Sequence, residues 1–97
     1  FGMLNWYRAS PMIVPPMDAP FELPADYQPP QLPNLAIPTL VIWAMDDIAL
    51  PPGNMVGMED IIDDLTIDKV SGCGHFVPWE APEKFNAAMD AFLARTA

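Results

Sequence analysis

The sequence predicts an α/β fold that is incomplete as a domain: two parallel strands and two helices belonging to a larger sheet. Three observations carry this expectation. "TLVIWA" (39–44) and "TIDKV" (66–70) are short runs of strand type, and each is followed by a helical pattern. The order strand–helix–strand–helix makes the strands parallel neighbours joined by a right-handed crossover. The first run does not alternate with polar residues, as expected of a strand covered on both faces, yet two strands cannot build a covered parallel sheet. The missing strands are expected from an N-terminal part of the fold outside these 97 residues or from a companion chain.

The elements follow in chain order. "FGMLNWYRAS" (1–10) reads as a short helix end, stopped by Pro11. Residues 11–37 read as a connector: nine of the 13 prolines fall between Pro11 and Pro38, and each removes an N–H donor. The apolar side chains spread through it, from Met12, Ile13, Val14, Met17 and Phe21 to Leu23, Tyr27, Leu32, Leu35 and Ile37, predict that it lies along another surface. Residues 38–97 form the strand–helix–strand–helix core. After the first strand and the loop "MDDIALPPGN", Asn54 is expected to cap a helix over about 55–65. Its apolar stripe would be Met55, Met58, Ile61, Ile62 and Leu65, with Glu59, Asp60, Asp63 and Asp64 on the solvated face. After the second strand and "SGCG", Pro82 opens an amphipathic helix with Phe85, Ala88, Met89, Phe92 and Leu93 on one stripe.

Composition narrows the partners. Four basic against 13 acidic residues give a net charge of −9, which argues against nucleic acid and anionic membrane surfaces. Hydrophobic residues make up 52% of the chain and mean hydropathy is +0.16, but Pro and Asp interrupt every apolar run well short of the ~20 residues a membrane span needs. One cysteine, Cys73, leaves no internal disulfide framework or cysteine-based zinc site, and accords with a reducing, cytoplasmic setting. No metal-ligand cluster is visible in the sequence.

In open α/β sheets chemistry gathers beyond the carboxyl ends of the strands. The first strand ends in "WAMDD" and the second in "SGCGH", which brings Asp46 or Asp47 to the same sheet edge as His75, the one histidine of the chain. Parallel neighbours lie about 4.8 Å apart, a gap that a carboxylate and an imidazole can bridge. An aspartate on one ring nitrogen would fix the tautomer and leave the other nitrogen free as a base. A histidine in a glycine-rich loop is equally read as structural, and an aspartate after a strand as a turn former.

Together the segments resemble a known family. "IPTLVIWAMDDIALPP", and "GCGHFVPWEAPEKFNAAMDAFL" beyond it, are similar to the C-terminal part of the α/β-hydrolase fold. There the acid stands in a P-x-L-x-I-W-G-x-x-D-x-x-x-P pattern, and the base follows the last strand in a G-x-x-H or G-C-G-H turn. The resemblance covers roughly residues 37–95 and implies Asp47 as the orienting acid and His75 as the base. "LNWYR" resembles the last helix of the cap domain in epoxide hydrolases of this fold, where the tyrosine donates a hydrogen bond to the epoxide oxygen; carried over, that role falls on Tyr7. Taken as packing residues, Trp6 and Tyr7 would have no such role.

The resemblance implies two steps: an aspartate attacks an epoxide carbon, then His75, held by Asp47, activates water that hydrolyses the ester to a vicinal diol. This implied chemistry is free of metal and cofactor, and the absence of a metal-ligand cluster from the sequence agrees with it. The implied substrate is a small apolar epoxide or ester-like compound, with Ile48, Leu50 and Phe76 as apolar pocket walls. No G-x-S-x-G elbow or aspartate equivalent occurs among the 97 residues, so the chain alone is expected to be inactive. Alternatives stay open: a dehalogenase, a serine esterase or C–C bond hydrolase of the same fold, or a non-catalytic half-domain completing a partner's sheet.

Overall fold

The computed structural model describes residues 2–11, 18, 20 and 22–97. The connector's Met12, Ile13, Val14, Met17 and Phe21 lie outside the described residues. The chain divides into two units, Phe1–Pro30 and Gln31–Ala97.

In the first unit, α1 spans Gly2–Ala9. The Ser10 amide closes its end on the Tyr7 carbonyl at 3.2 Å, just before Pro11, whose ring disfavours a helical residue ahead of it. Met3, Trp6 and Tyr7 are exposed along the helix. Further on, the Tyr27 amide donates to the Pro24 carbonyl at 2.9 Å, closing a turn at Ala25 and Asp26.

The second unit is built on a two-stranded parallel sheet, as the sequence predicts. Strand β1 is Thr39–Ala44 and β2 is Leu65–Val70, in register from Thr39 opposite Leu65 to Ala44 opposite Val70. Residues 31–97 leave β1 half-buried along Thr39–Trp43, with only Ala44 buried, so the full cover expected from its unbroken apolar run is not supplied by this unit. The end of the connector joins the sheet side. Leu35 forms a parallel bridge with Ile62, its amide donating to the Ile61 carbonyl at 2.7 Å and its carbonyl accepting from the Asp63 amide at 3.0 Å.

The helix expected over about 55–65 is absent. Two short 3₁₀ turns, Pro52–Met55 and Met58–Asp60, stand in its place, and Asn54 caps neither. The reason is local. Gly57 takes φ 89°, a left-handed value that ends the first turn, and beyond the second turn the Ile61 carbonyl and the Asp63 amide are bonded to Leu35 rather than to a continuing helix. The acidic run is therefore not one solvated helix face. Asp63 accepts from Asn34 Nδ2 at 2.7 Å, and Asp64 pairs with Arg95.

A four-residue helix that the sequence reading does not contain, α2 (Val77–Glu80), precedes α3 (Pro82–Thr96), which begins at the predicted proline. Ala88 of α3 is buried, Phe85, Met89 and Phe92 are half-buried, and Leu93 at the far end of the stripe is exposed. The core consists of Ala44, Val70, Cys73 and Val77, with Ile42, Ala81 and Phe85 packed against it. Fully burying a side chain of valine size is worth about 1.5–3 kcal/mol, and Val70 is the one described side chain buried to that degree. This core fastens the carboxyl ends of both strands and the two loops that leave them. Among the described residues, no helix is long and apolar enough to cross a membrane.

Candidate active site

Both loops are tied to each other before either side chain acts. The Met45 amide donates to the Val70 carbonyl at 2.9 Å and the Asp46 amide to the Cys73 carbonyl at 3.2 Å. The parallel pairing thus continues one step past the strands, carrying the acid loop alongside the turn that presents His75. Gly72 in that turn has φ 69°, a conformation that side chains with a Cβ rarely adopt.

Asp47 and His75 meet across the two loops. Asp47 Oδ2 lies 2.8 Å from His75 Nδ1. The other carboxylate oxygen, Oδ1, accepts from the Ala49 and Leu50 amides, both at 2.9 Å, in an aspartate turn. The Leu50 amide does most to hold the Asp47 carboxyl below the usual aspartate range. Burial opposes it, and the His75 and Ala49 hydrogen bonds add to the lowering. An ionised carboxylate only accepts, so Nδ1 carries the proton and donates it to Asp47; in the neutral ring this places the lone pair on Nε2. The pair is asymmetric in exposure: the Asp47 side chain is 7% exposed and that of His75 43%. The carboxylate is sheltered while the imidazole reaches outward.

Asp46, the neighbour the sequence left as an alternative, is exposed and uses its amide rather than its carboxylate in this arrangement. A cavity of about 150 Å³ opens beside the pair, walled by Ile42, Trp43, Ala44, Leu50 and Val77. Trp43 is fixed there by its indole N–H, which donates to the Leu50 carbonyl at 3.0 Å. Of the three residues expected as pocket walls, Leu50 borders this cavity, whereas Ile48 and Phe76 are exposed, the former at 99%. Phe76 instead meets the imidazole edge-on, with ring centroids 5.1 Å apart and planes at 82°. Trp43, Ile42 and Val77 were not singled out from the sequence; their strand positions and the Pro78 that follows Val77 gave no signal of a shared cavity. Tyr7 lies on α1 in the first unit and is exposed.

A larger depression of about 350 Å³ lies by the start of α3, next to Ser71, Gly72 and Lys84, and includes neither member of the pair. Cys73 is buried and free; burial pushes its thiol up, helped by the nearby Glu80 charge, which keeps it protonated and unreactive. Among the described residues, no group of three or more His, Cys, Asp or Glu is placed to hold a metal ion.

An aspartate fixed by backbone amides, a histidine held by it, and both at the carboxyl edge of a parallel sheet form an arrangement chemically able to work as an acid–base pair. Known proteins share this arrangement of strands. A solved epoxide hydrolase of the alpha/beta hydrolases superfamily, from metagenomes of hot environments, superposes with a TM-score of 0.86 at 71% identity, over 95% of this chain and 31% of that one. The residues described here form the C-terminal part of an α/β-hydrolase fold. An epoxide hydrolase from Bacillus megaterium, crystallised with its product, superposes with a TM-score of 0.63 at 27% identity, over 69% of this chain and 24% of that one. Among curated proteins, a 2-hydroxy-6-oxononadienedioate/2-hydroxy-6-oxononatrienedioate hydrolase of Pseudomonas sp. is 39% identical over 64 residues, 66% of this chain and 23% of its own length. A 2-hydroxy-6-oxo-6-(2'-aminophenyl)hexa-2,4-dienoic acid hydrolase of Metapseudomonas resinovorans is 35% identical over 71 residues, 73% of this chain and 24% of its own length. The α/β-hydrolase chain thus spans about a quarter of the curated relatives it matches, and no family model matches it.

Proposed function

We propose that this chain supplies the water-activating half of an epoxide hydrolase. The observation that carries the reading is the 2.8 Å contact of Asp47 Oδ2 with His75 Nδ1, which leaves Nε2 free beside an apolar cavity. In the proposed reaction an aspartate on another part of the fold attacks an epoxide carbon and the C–O bond breaks, while Tyr7 and a second hydroxyl hydrogen-bond the developing alkoxide. The alkoxide takes one proton from one of these hydroxyls, which regains it through solvent from the carboxylic acid formed when the ester is hydrolysed. His75 Nε2 then removes a proton from water, and the hydroxide attacks the ester carbonyl. The tetrahedral adduct collapses, its C–O bond to the substrate breaks, the departing oxygen takes the proton back from His75, and a vicinal diol is released as the aspartate is regenerated. Asp47 stabilises the imidazolium formed on the way.

Likeness to the metagenomic epoxide hydrolase supports this choice of substrate class, because at 95% coverage it extends over most of the first unit, where Tyr7 lies. The curated relatives support the second reading, a serine-nucleophile hydrolase of the same fold acting on a 2-hydroxy-6-oxo-dienoate type of compound; their likeness covers 66–73% of this chain. In either case the remaining strands of the sheet come from elsewhere in the protein or from a companion chain. A free, buried Cys73 accords with a reducing compartment such as the cytoplasm.

One experiment separates the readings. In the complete enzyme, His75→Ala should stall after the first step, so mass spectrometry of a styrene oxide reaction should find an adduct on an aspartate peptide. An adduct on a serine peptide with an ester substrate, and none with the epoxide, would overturn the epoxide reading in favour of the second.

A further inference from the structure

We infer that Glu80 is a positioning residue for the Asp47–His75 pair, clamping the backbone N–H groups of Gly74 and Phe76, the residues on either side of His75, and thereby fixing the direction in which its imidazole leaves the loop. The inference rests on the reading of that pair as the acid–base site, and it deepens that reading.

Each oxygen of the Glu80 carboxylate takes one of the flanking amides. Gly74 N donates to Oε1 at 3.2 Å, and Phe76 N donates to Oε2 at 3.0 Å. These amides bound His75 on either side, so a single planar group spans the residue whose backbone angles aim the imidazole. The Glu80 main chain closes the same loop: its amide donates to the Phe76 carbonyl at 2.9 Å. A side chain returning to the N–H at the start of its own short helix is the logic of a capping box, here reaching two residues further back to hold the Gly74 N–H as well.

Gly74 bears independent witness to the clamp. Its φ is not positive, so the glycine is not needed for a left-handed turn. What it provides is space: a Cβ there would stand 3.1 Å from Glu80 Oε1 and 3.2 Å from Oε2, tighter than ordinary contact. The loop is therefore shaped around the carboxylate at the residue next to the base. Without the clamp, the His75 side chain, 43% exposed, would be held in place by Asp47 and the Phe76 edge alone.

The test reads the His75 ring nitrogens by NMR in the complete protein, with their signals assigned by difference from a His75→Gln variant. In the ¹⁵N-labelled protein the Nδ1–H tautomer should dominate. Glu80→Ala should make it the minor form and speed exchange of the Gly74 and Phe76 amides about tenfold, while the Val70 methyl signals and the α3 amides stay in place. Glu80→Gln, which keeps one acceptor oxygen, should fall between. Gly74→Ala keeps the Glu80 charge but crowds Oε1, so it should reproduce part of the tautomer change; an effect of charge alone would leave it without consequence. A wild-type tautomer ratio in Glu80→Ala, or in Gly74→Ala should Glu80→Ala fail to fold, overturns the inference. The readout is the ring and not turnover, so it stands or falls independently of whether the fold's nucleophile is an aspartate or a serine.

Discussion

Asp47 and His75 are 28 residues apart in the chain, and their side chains meet at 2.8 Å because two parallel strands end in register at Ala44 and Val70. Neither loop places its residue alone. The Asp46 amide bonded to the Cys73 carbonyl ties one loop to the other, and the Ala49 and Leu50 amides hold the carboxylate from its far side. The pair is thus a property of the sheet edge, and its behaviour follows from which atoms are already engaged.

The first consequence concerns the tautomer. Asp47→Asn keeps the shape but can offer an N–H to Nδ1, which moves the ring proton to Nε2 and removes the base. In the complete enzyme kcat should fall by about 10⁴, with KM much less affected. Steady-state kinetics check this, and a loss smaller than about tenfold would remove Asp47 from the orienting role.

Acid sensitivity follows from the same carboxylate. The folded value of Asp47 lies below the ordinary one, chiefly through the Leu50 amide, so the folded state binds this proton less readily than the unfolded state. Its stabilising contribution is complete above the unfolded pKa of about 4 and is lost as pH falls through the folded value. Thermal unfolding of the complete protein between about pH 6 and 2 should show a steeper acid limb for the wild type than for Asp47→Asn. Parallel limbs would mean that the amide bonds do not bias the carboxylate.

Tyr7 carries the distinction between epoxide and ester chemistry. If its hydroxyl stabilises the oxygen released on ring opening, Tyr7→Phe should slow diol formation by about 10²–10³, the usual effect of losing one such donor. Cleavage of an activated ester by the same variant should change little. Equal losses on both substrates would place Tyr7 in packing rather than in ring opening.

Residues with a strong local signature were legible in the sequence. The unbroken "TLVIWA" marked β1 as Thr39–Ala44, and Pro82 marked the start of α3. Asp47 and His75 were reachable because strand order alone brings both strand ends to one edge. The segment between the strands was misread, since the stripe from Met55 to Leu65 has helical spacing while its conformation is decided by Gly57 at φ 89° and by the distant Leu35. Periodicity carries no information about a backbone partner 26 to 28 residues away. Helix α2 and the Glu80 clamp were hidden for a related reason: four residues are too few to show a period, and the clamp depends on carboxylate reach. Its faint trace in the sequence is a glutamate four residues after Phe76 and a glycine just before His75.

The turn beneath the base offers a stability test. Gly72 sits at φ 69°, and nothing lies within 4 Å of where a Cβ would stand, so Gly72→Ala suffers backbone strain without a clash. That strain costs about 1–2 kcal/mol, which in the complete protein should lower the melting midpoint by roughly 2–4 °C per kcal/mol. Differential scanning calorimetry reads the shift; an unchanged midpoint would show that the turn relaxes out of the left-handed region.

Far from the site, Arg95 fastens the end of α3 to the start of β2. Its Nη1 lies 3.0 Å from Asp64 Oδ1 and 3.1 Å from Oδ2, its Nη2 donates to Thr66 Oγ1 at 3.1 Å, and its guanidinium carbon sits 5.4 Å from the centre of the Phe92 ring. Arg95 and Asp64 are 44% and 42% exposed, so the ion pair is screened and contributes about 0.2–1 kcal/mol by itself. The planar fork is what allows one side chain to reach the carboxylate and the hydroxyl together, which a lysine cannot reproduce. Arg95→Lys should therefore lose nearly as much stability as Arg95→Met in urea denaturation at low salt. The difference between wild type and either variant should shrink as salt rises toward about 1 M, where charges more than about 3 Å apart are screened. An Arg95→Lys variant as stable as wild type would reduce the contact to simple charge attraction and leave the Thr66 bond without weight.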